Sequence, residues 1–266
     1  MTPHGGGDRP ADDDELVASW RAEEGDQPPG WDFSALAGRM TETPEPWNLD
    51  KTWRDQLKLS RHVLDMGTGG GELLSSLAPV LPTDTVATEG WPPNLSVARA
   101  TLEPYGITVV PHDPESDTTL PFPDGRFDLV LNRHESFHPD EVARVLMAGG
   151  VFITQQVGGL EMGELHELTG KQPDHPEITL REVTRAVTDA GLEVVDDGED
   201  RGWYEFRDVA ALVAYLRLVP WDVPDDFSVD NYLDVLWELH RRGPARGEPV
   251  RLTRIRFWLR ARKPLD

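Results

Sequence analysis

"HVLDMGTGGGE", residues 62–72, places four glycines within five positions directly behind a short apolar run. Val63, Leu64 and Asp65 read as a buried strand, and Glu72 opens a helical pattern. Glycines at such a junction permit positive φ and let a ligand reach main chain that Cβ atoms otherwise shield. The spacing narrows the choice of ligand. Counted from Gly67, the sixth position is Glu72, so the G-x-G-x-x-G fingerprint of dinucleotide sites fails. No G-K-[ST] follows, so a phosphate-cradling P-loop fails too, and a pyrophosphate beside Asp65 and Glu72 would meet like charge. The pattern present is D-x-G-x-G-x-G: Asp65, Gly67, Gly69 and Gly71.

Outward from this turn, short apolar runs alternate with helical patterns. Candidate strands lie at 62–66, 85–89, 107–112, 127–132 and 151–157. "ELLSSLAPVL", "WPPNLSVARATLEPYG" and "HPDEVARVLMAGG" separate them, with apolar residues at three-to-four spacing. Strand, helix, strand at this interval describes βαβ units and a parallel sheet. "MAGG", 147–150, is expected to end its helix with a glycine cap. A helix over 179–190, a strand over 192–195 and a last strand over 252–261 complete the series. Glu89 closes the second strand in "TVATE", where ligands of open α/β sheets sit and where a carboxylate can accept from two ribose hydroxyls. Trp91 follows two residues on, placed either to stack on a ligand ring or to pack into the core.

As a series these stretches resemble the class I S-adenosylmethionine-dependent methyltransferases of small-molecule type, over about residues 60–157. The glycine turn resembles that family's first motif. "VVPHDPESDTTLPFPDGRFDLVLNR" resembles the next two, and "EVARVLMAGGVFIT" the helix, turn and fifth strand. The resemblance implies an α/β, Rossmann-like, seven-stranded and mostly parallel sheet with helices on both faces, an antiparallel last strand and helical cap additions. It implies S-adenosyl-L-methionine as cofactor and S-adenosyl-L-homocysteine as product. The ligand then carries an ammonium and a sulfonium rather than phosphates, so the nearby carboxylates help. Asp65, Gly67, Gly69, Gly71, Glu89, Trp91, Asp113, Asn132 and Arg133 are the implied cofactor residues. The gap from Asp113 to Leu120 is longer than the family's usual spacing, so Glu115 or Asp117 are alternatives for the adenine amino group. The loop after the fourth strand borders the transferring methyl group in this family. His134, titrating near neutrality, is the candidate base, with Glu135 orienting it or binding the acceptor.

That loop, "NRHESFH", also contains H-E-x-x-H, a zinc pattern when both histidines share one helical face. Pro139 follows His138 and pushes it out of the α region, so no metal is expected. Gln155 and Gln156 close the fifth strand, and alternation sends them to opposite faces, so one of them is expected to meet the acceptor. Trp31, Asp32 and Phe33 in "GWDFS" are candidate cover over the acceptor, which a lid restricts to a small molecule.

The division expected is an N-terminal helical cap segment (1–60), the cofactor-binding core (61–200), a helical insertion that caps the site (201–250) and the final strand (251–266). There are no cysteines, which excludes disulfides, zinc ribbons and thiol catalysis. No apolar run is long enough for a membrane span, and the acidic N-terminus lacks the pattern of a signal peptide, so a cytoplasmic protein without membrane contact is expected. A net charge of −22 opposes nucleic-acid binding. The segment 241–263, with nine Arg and Lys, reads as a terminal strand with arginines on one face. It also leaves an RNA methyltransferase as an alternative, beside a non-catalytic cofactor-binding protein and an enzyme using the same cofactor for other chemistry. A monomer and a homodimer are both open.

Overall fold

The computed structural model describes residues 11–25 and 33–265. In chain order the elements are α1 (Ala11–Arg21), β1 (Met40–Glu42), α2 (Leu49–Leu57), β2 (His62–Met66), α3 (Glu72–Ser76), β3 (Asp84–Glu89), α4 (Pro92–Leu102), β4 (Thr108–Pro111) and β5 (Phe127–Arg133). There follow α5 (Pro139–Val145), β6 (Leu146–Val157), α6 (Gly163–Thr169), α7 (Leu180–Asp189), β7 (Glu193–Phe206), α8 (Val209–Leu216), α9 (Leu233–Arg242) and β8 (Val250–Arg262).

The strands form one sheet in the order β1-β7-β8-β6-β5-β2-β3-β4. The run from β6 through β5, β2 and β3 to β4 is parallel throughout, while β8 is antiparallel to β6 and to β7. The central strands are buried on both faces, which is why they read as continuous apolar runs rather than as alternation. One face carries Leu64, Phe127, Val130, Phe152 and Leu259 against α5 and α7. The other carries Val63, Leu129, Leu131, Ile153 and Trp258 against Trp53 and Leu57 of α2. The chain leaves β2 toward β3 on one side while β5 lies on the other, so a crevice opens beyond the carboxyl ends of β2 and β5.

Three expectations are corrected. The sheet has eight strands rather than seven, because Met40–Glu42 pairs antiparallel with the end of β7 and covers its edge. The strand expected over 192–195 runs on to Phe206, through the expected boundary between residues 200 and 201, and the next helix starts at Val209. Nothing apolar announces "DDGEDRG"; it is held extended by pairing along β8, from Glu193 opposite Arg262 to Phe206 opposite Val250. "MAGG" is not a helix cap. The helix stops at Val145, and 147–150 bulge out of β6 where the pairing jumps from Phe127–Leu146 to Leu129–Val151.

The N-terminal and late helical pieces share a separate core. Trp20 of α1 lies edge-on to Trp237 of α9 with ring centroids 5.0 Å apart. α8 is buried between them and the ends of β7 and β8, at Tyr204, Phe206, Val250 and Leu252. Asp208 caps α8 by accepting from the Ala211 N–H, which fixes where β7 hands over to this helical layer. Among the described residues no helix is long and apolar enough to cross a membrane.

Candidate active site

The glycine turn begins where β2 ends. Gly67, Gly69 and Gly71 all take left-handed φ values, 66°, 63° and 85°. At Gly67 an added Cβ would lie 2.4 Å from Cβ of Glu135, so only glycine lets the loop after β5 pack on this turn. Glu89, at the end of β3 and 4% exposed, holds the turn from the other side. Its Oε2 accepts from the Gly69 N–H at 2.7 Å and its Oε1 from the Trp91 N–H at 2.8 Å. Each oxygen keeps a further lone pair.

Three carboxyl groups therefore gather here. Burial pushes Asp65 up to about 7, and the Glu89 charge adds to it. Burial also pushes Glu135 up to about 7, reinforced by Glu89, Asp113 and Glu115. Glu89 is raised by burial, and the two N–H groups it accepts from pull it back. Among the described residues no Lys or Arg forms an ion pair with any of the three. Next to them Gly90 packs directly on Asp113, a Cβ there falling 2.7 Å from Asp113 Cα. Asp113 is half-buried and turns its carboxylate into its own loop, accepting from the Glu115 N–H at 3.0 Å and the Ser116 hydroxyl at 2.8 Å. Those bonds hold it below the usual carboxylate range. Glu115 and Asp117 are exposed.

The loop after β5 splits its residues between two sides. Asn132 is fully buried; its Oδ1 accepts from Thr154 at 2.8 Å and from Gln156 Nε2 at 2.6 Å. Gln156 Nε2 also donates to the Glu135 carbonyl at 3.0 Å. Asn132 and Gln156 thus support the loop from beneath, and the buried Asn132 Nδ2 has no partner among the described residues. Gln155 goes to the opposite face, level with Arg133. Its Oε1 accepts from the indole N–H of Trp47 at 2.8 Å, and its Nε2 lies 3.3 Å from His134 Nε2. The indole can only donate, so it fixes the Gln155 amide with its NH₂ toward His134. His134 Nε2 must then accept, and the proton of the neutral ring sits on Nδ1.

His134 itself takes a left-handed φ of 61°, held by its N–H donating to the Gln155 carbonyl at 2.9 Å. Burial drives its pKa well below 6.5, helped by the charges of Arg256, Arg133 and Arg254. Its side chain is nevertheless reachable by solvent. Arg133 has the same character: exposed, yet with its pKa lowered by desolvation. His138 is the extended N-cap residue of α5 with Nε2 2.9 Å from the Pro114 carbonyl, so the two histidines share no helical face. The Phe33 ring lies 6.1 Å from that of Tyr215 of α8. Trp31 and Asp32 lie outside the described residues.

Residues 64–154, from β2 to β6, match the family described as "Methyltransferase domain". This stretch is therefore similar to a methyltransferase domain, and it lies on a Rossmann-like fold. No curated protein matches it in sequence. Among solved structures it is similar to a candidate methyltransferase from Bacillus halodurans, at 21% identity and a TM-score of 0.57, over 82% of this chain and all of that one. The YcgJ protein of Bacillus subtilis is similar at 16% identity and 0.55, over 81% and 97%. A protein of unknown function from Deinococcus radiodurans gives 16% and 0.57, over 95% and 99%. These likenesses concern the fold.

Several residues around this crevice escape sequence reading. Trp47 sits in "PEPWNLD" with nothing local to link it to Gln155, 108 positions away. Behind His134, Arg256 is bound to Glu161 at 2.5 Å and to the Tyr204 hydroxyl, and Arg254 spans Glu45 at 2.7 Å and Asp200 at 2.8 Å. The one signal available for them was the arginine-rich last strand.

Proposed function

We propose that this protein is an S-adenosylmethionine-dependent methyltransferase acting on a small-molecule acceptor. The observation that carries the reading is the glycine turn set among Asp65, Glu89 and Glu135, three crowded carboxyls with no cationic side chain paired to them among the described residues. Such a set repels phosphate and suits a ligand that brings positive charge. Asp65, Gly67, Gly69, Gly71 and Glu89 would hold the cofactor. Trp91 and Asp113, on either side of Gly90, would meet its adenine, and Glu135, packed on Gly67, would face its charged end. Bound there, S-adenosylmethionine supplies an electrophilic methyl on a sulfonium.

The chain's own part is positioning and exclusion of water. Arg133, His134 and Gln155 form the acceptor side, with Trp47 over them. Gln155 occupies the Nε2 lone pair and three arginines disfavour the imidazolium, so His134 orients the acceptor through Nδ1–H rather than taking its proton. An acceptor already nucleophilic at neutral pH suits this arrangement. In this reading the described residues ahead of α2 and the helices after β7 form the cap, and the protein works in the cytoplasm.

An RNA acceptor is disfavoured by the last strand. Arg251 pairs with Glu205, Arg254 with Glu45 and Asp200, Arg256 with Glu161 and Arg260 with Asp196, so four of the strand's five arginines are already answered within the fold. The direct test is isothermal titration with S-adenosylmethionine and S-adenosylhomocysteine on protein freed of co-purified ligand. Micromolar binding that collapses in Glu89→Ala supports the reading. Absence of binding by folded protein sinks it.

A further inference from the structure

The acceptor side holds three arginines, and two of them are answered. Arg254, with no exposed surface, sits between Glu45 and Asp200, and Arg256 is closed by Glu161 and Tyr204. Arg133 differs. Among the described residues its exposed side chain has no ion pair and no hydrogen bond, although it stands at the end of β5, level with Gln155 and beside the crevice beyond that strand. The next residue contributes a second donor without an acceptor, because the Trp47–Gln155 pair leaves the His134 proton on Nδ1. Two adjacent donors, one of them a guanidinium, open onto the cleft at the place where the methyl acceptor would lie. A guanidinium without a partner is most strongly complemented by a carboxylate, whose two oxygens match its fork.

Resting on the methyltransferase reading, we propose that the acceptor is a small carboxylic acid whose carboxylate is held by Arg133 and His134. A single guanidinium beside a neutral imidazole matches one negative charge. The charges of Glu42 and Glu45 also reach Arg133 and disfavour a second one, which argues against a phosphate ester.

The experiment uses the full chain with indole-¹⁵N tryptophan. The Trp47 N–H resonance, assigned with Trp47→Phe, is followed during titration with benzoate, with benzamide as its uncharged isostere and with inorganic phosphate. Benzoate is expected to shift this resonance saturably in the millimolar range, benzamide and phosphate at least about tenfold more weakly. Arg133→Met is expected to weaken benzoate at least about tenfold, and Arg133→Lys to restore part of the loss. Equal binding of benzamide, equal or stronger binding of phosphate, benzoate binding that ignores Arg133→Met, or no saturable shift up to about 20 mM would each overturn the inference. S-adenosylhomocysteine is titrated into the same samples. If it binds while the carboxylate result fails, only the acceptor class is wrong; if it does not bind, the methyltransferase reading fails first.

Discussion

Glu89 is a structural clamp as much as a ligand candidate, since both oxygens accept from main chain. In Glu89→Gln only one amide oxygen remains for two buried N–H groups, so the turn should loosen. We expect a loss of about 1–3 kcal/mol in stability and about tenfold or more in cofactor affinity, read by denaturation and titration calorimetry. Gly67→Ala should cost more than the ~1–2 kcal/mol of a left-handed alanine, because its methyl also displaces Glu135. Gly38→Ala, at φ 71° with open space around it, isolates the backbone part; equal losses at the two sites would refute the packing argument. Titration gives a third expectation. Asp65 and Glu135 ionise only near about 7, and a bound sulfonium and ammonium would lower both. Binding of S-adenosylmethionine should therefore release protons below about pH 7 and weaken as pH falls, with the uncharged thioether of S-adenosylhomocysteine depending on pH less. Calorimetry in buffers of different ionisation enthalpy checks the sign. The turn and Glu89 were legible in the sequence because strand, glycines and acid are neighbours along the chain. The acceptor side was not: which way Arg133 and Gln155 face depends on the β5–β6 register, and the state of His134 on Trp47.

Among the elements, the parallel strands could be read directly, since strands buried on both faces carry their own apolar signature. β7 could not. Its acidic, glycine-containing middle is extended only because β8 offers an antiparallel partner with arginines placed against its acids, a tertiary effect that no local window contains. The same holds for the bulge at 147–150, where a helix-ending glycine and a strand bulge look alike until the pairing is known. These ion pairs differ in weight. Among the described residues Glu161 is the only carboxylate paired with Arg256, whereas Arg254 has both Glu45 and Asp200. Glu161→Gln leaves a buried guanidinium without a counter-charge and should destabilise by about 3–5 kcal/mol. Asp200→Asn should cost less, because Glu45 stays in place. Chemical denaturation of the two variants decides it, and the reverse order would show that the Arg254 bridge, not the Arg256 cluster, holds the end of β8.

At the scale of the whole molecule the charge of −22 acts on every ligand that approaches. S-adenosylmethionine carries a net positive charge, S-adenosylhomocysteine none, and the proposed acceptor a negative one. A surface of one predominant sign steers the first inward and holds the third back, with no effect on the second. Arg133 is then a local exception in a repelling field, and the carboxylate must reach it against that field. Salt separates these effects, since screening lengths shrink from about 30 Å at 0.01 M to about 8 Å at 0.15 M. Across that range the association rate of S-adenosylmethionine should fall, that of S-adenosylhomocysteine should stay nearly level, and that of benzoate should rise. Stopped-flow tryptophan fluorescence, with nine tryptophans as reporters, measures the cofactor rates, and NMR line shapes at Trp47 measure benzoate. Parallel slopes for all three would mean that the acidic surface lies too far from the crevice to steer anything. Benzoate slowing with salt, like the cofactor, would mean that the local field of Arg133 governs its approach and that the acidic surface is turned away from the cleft.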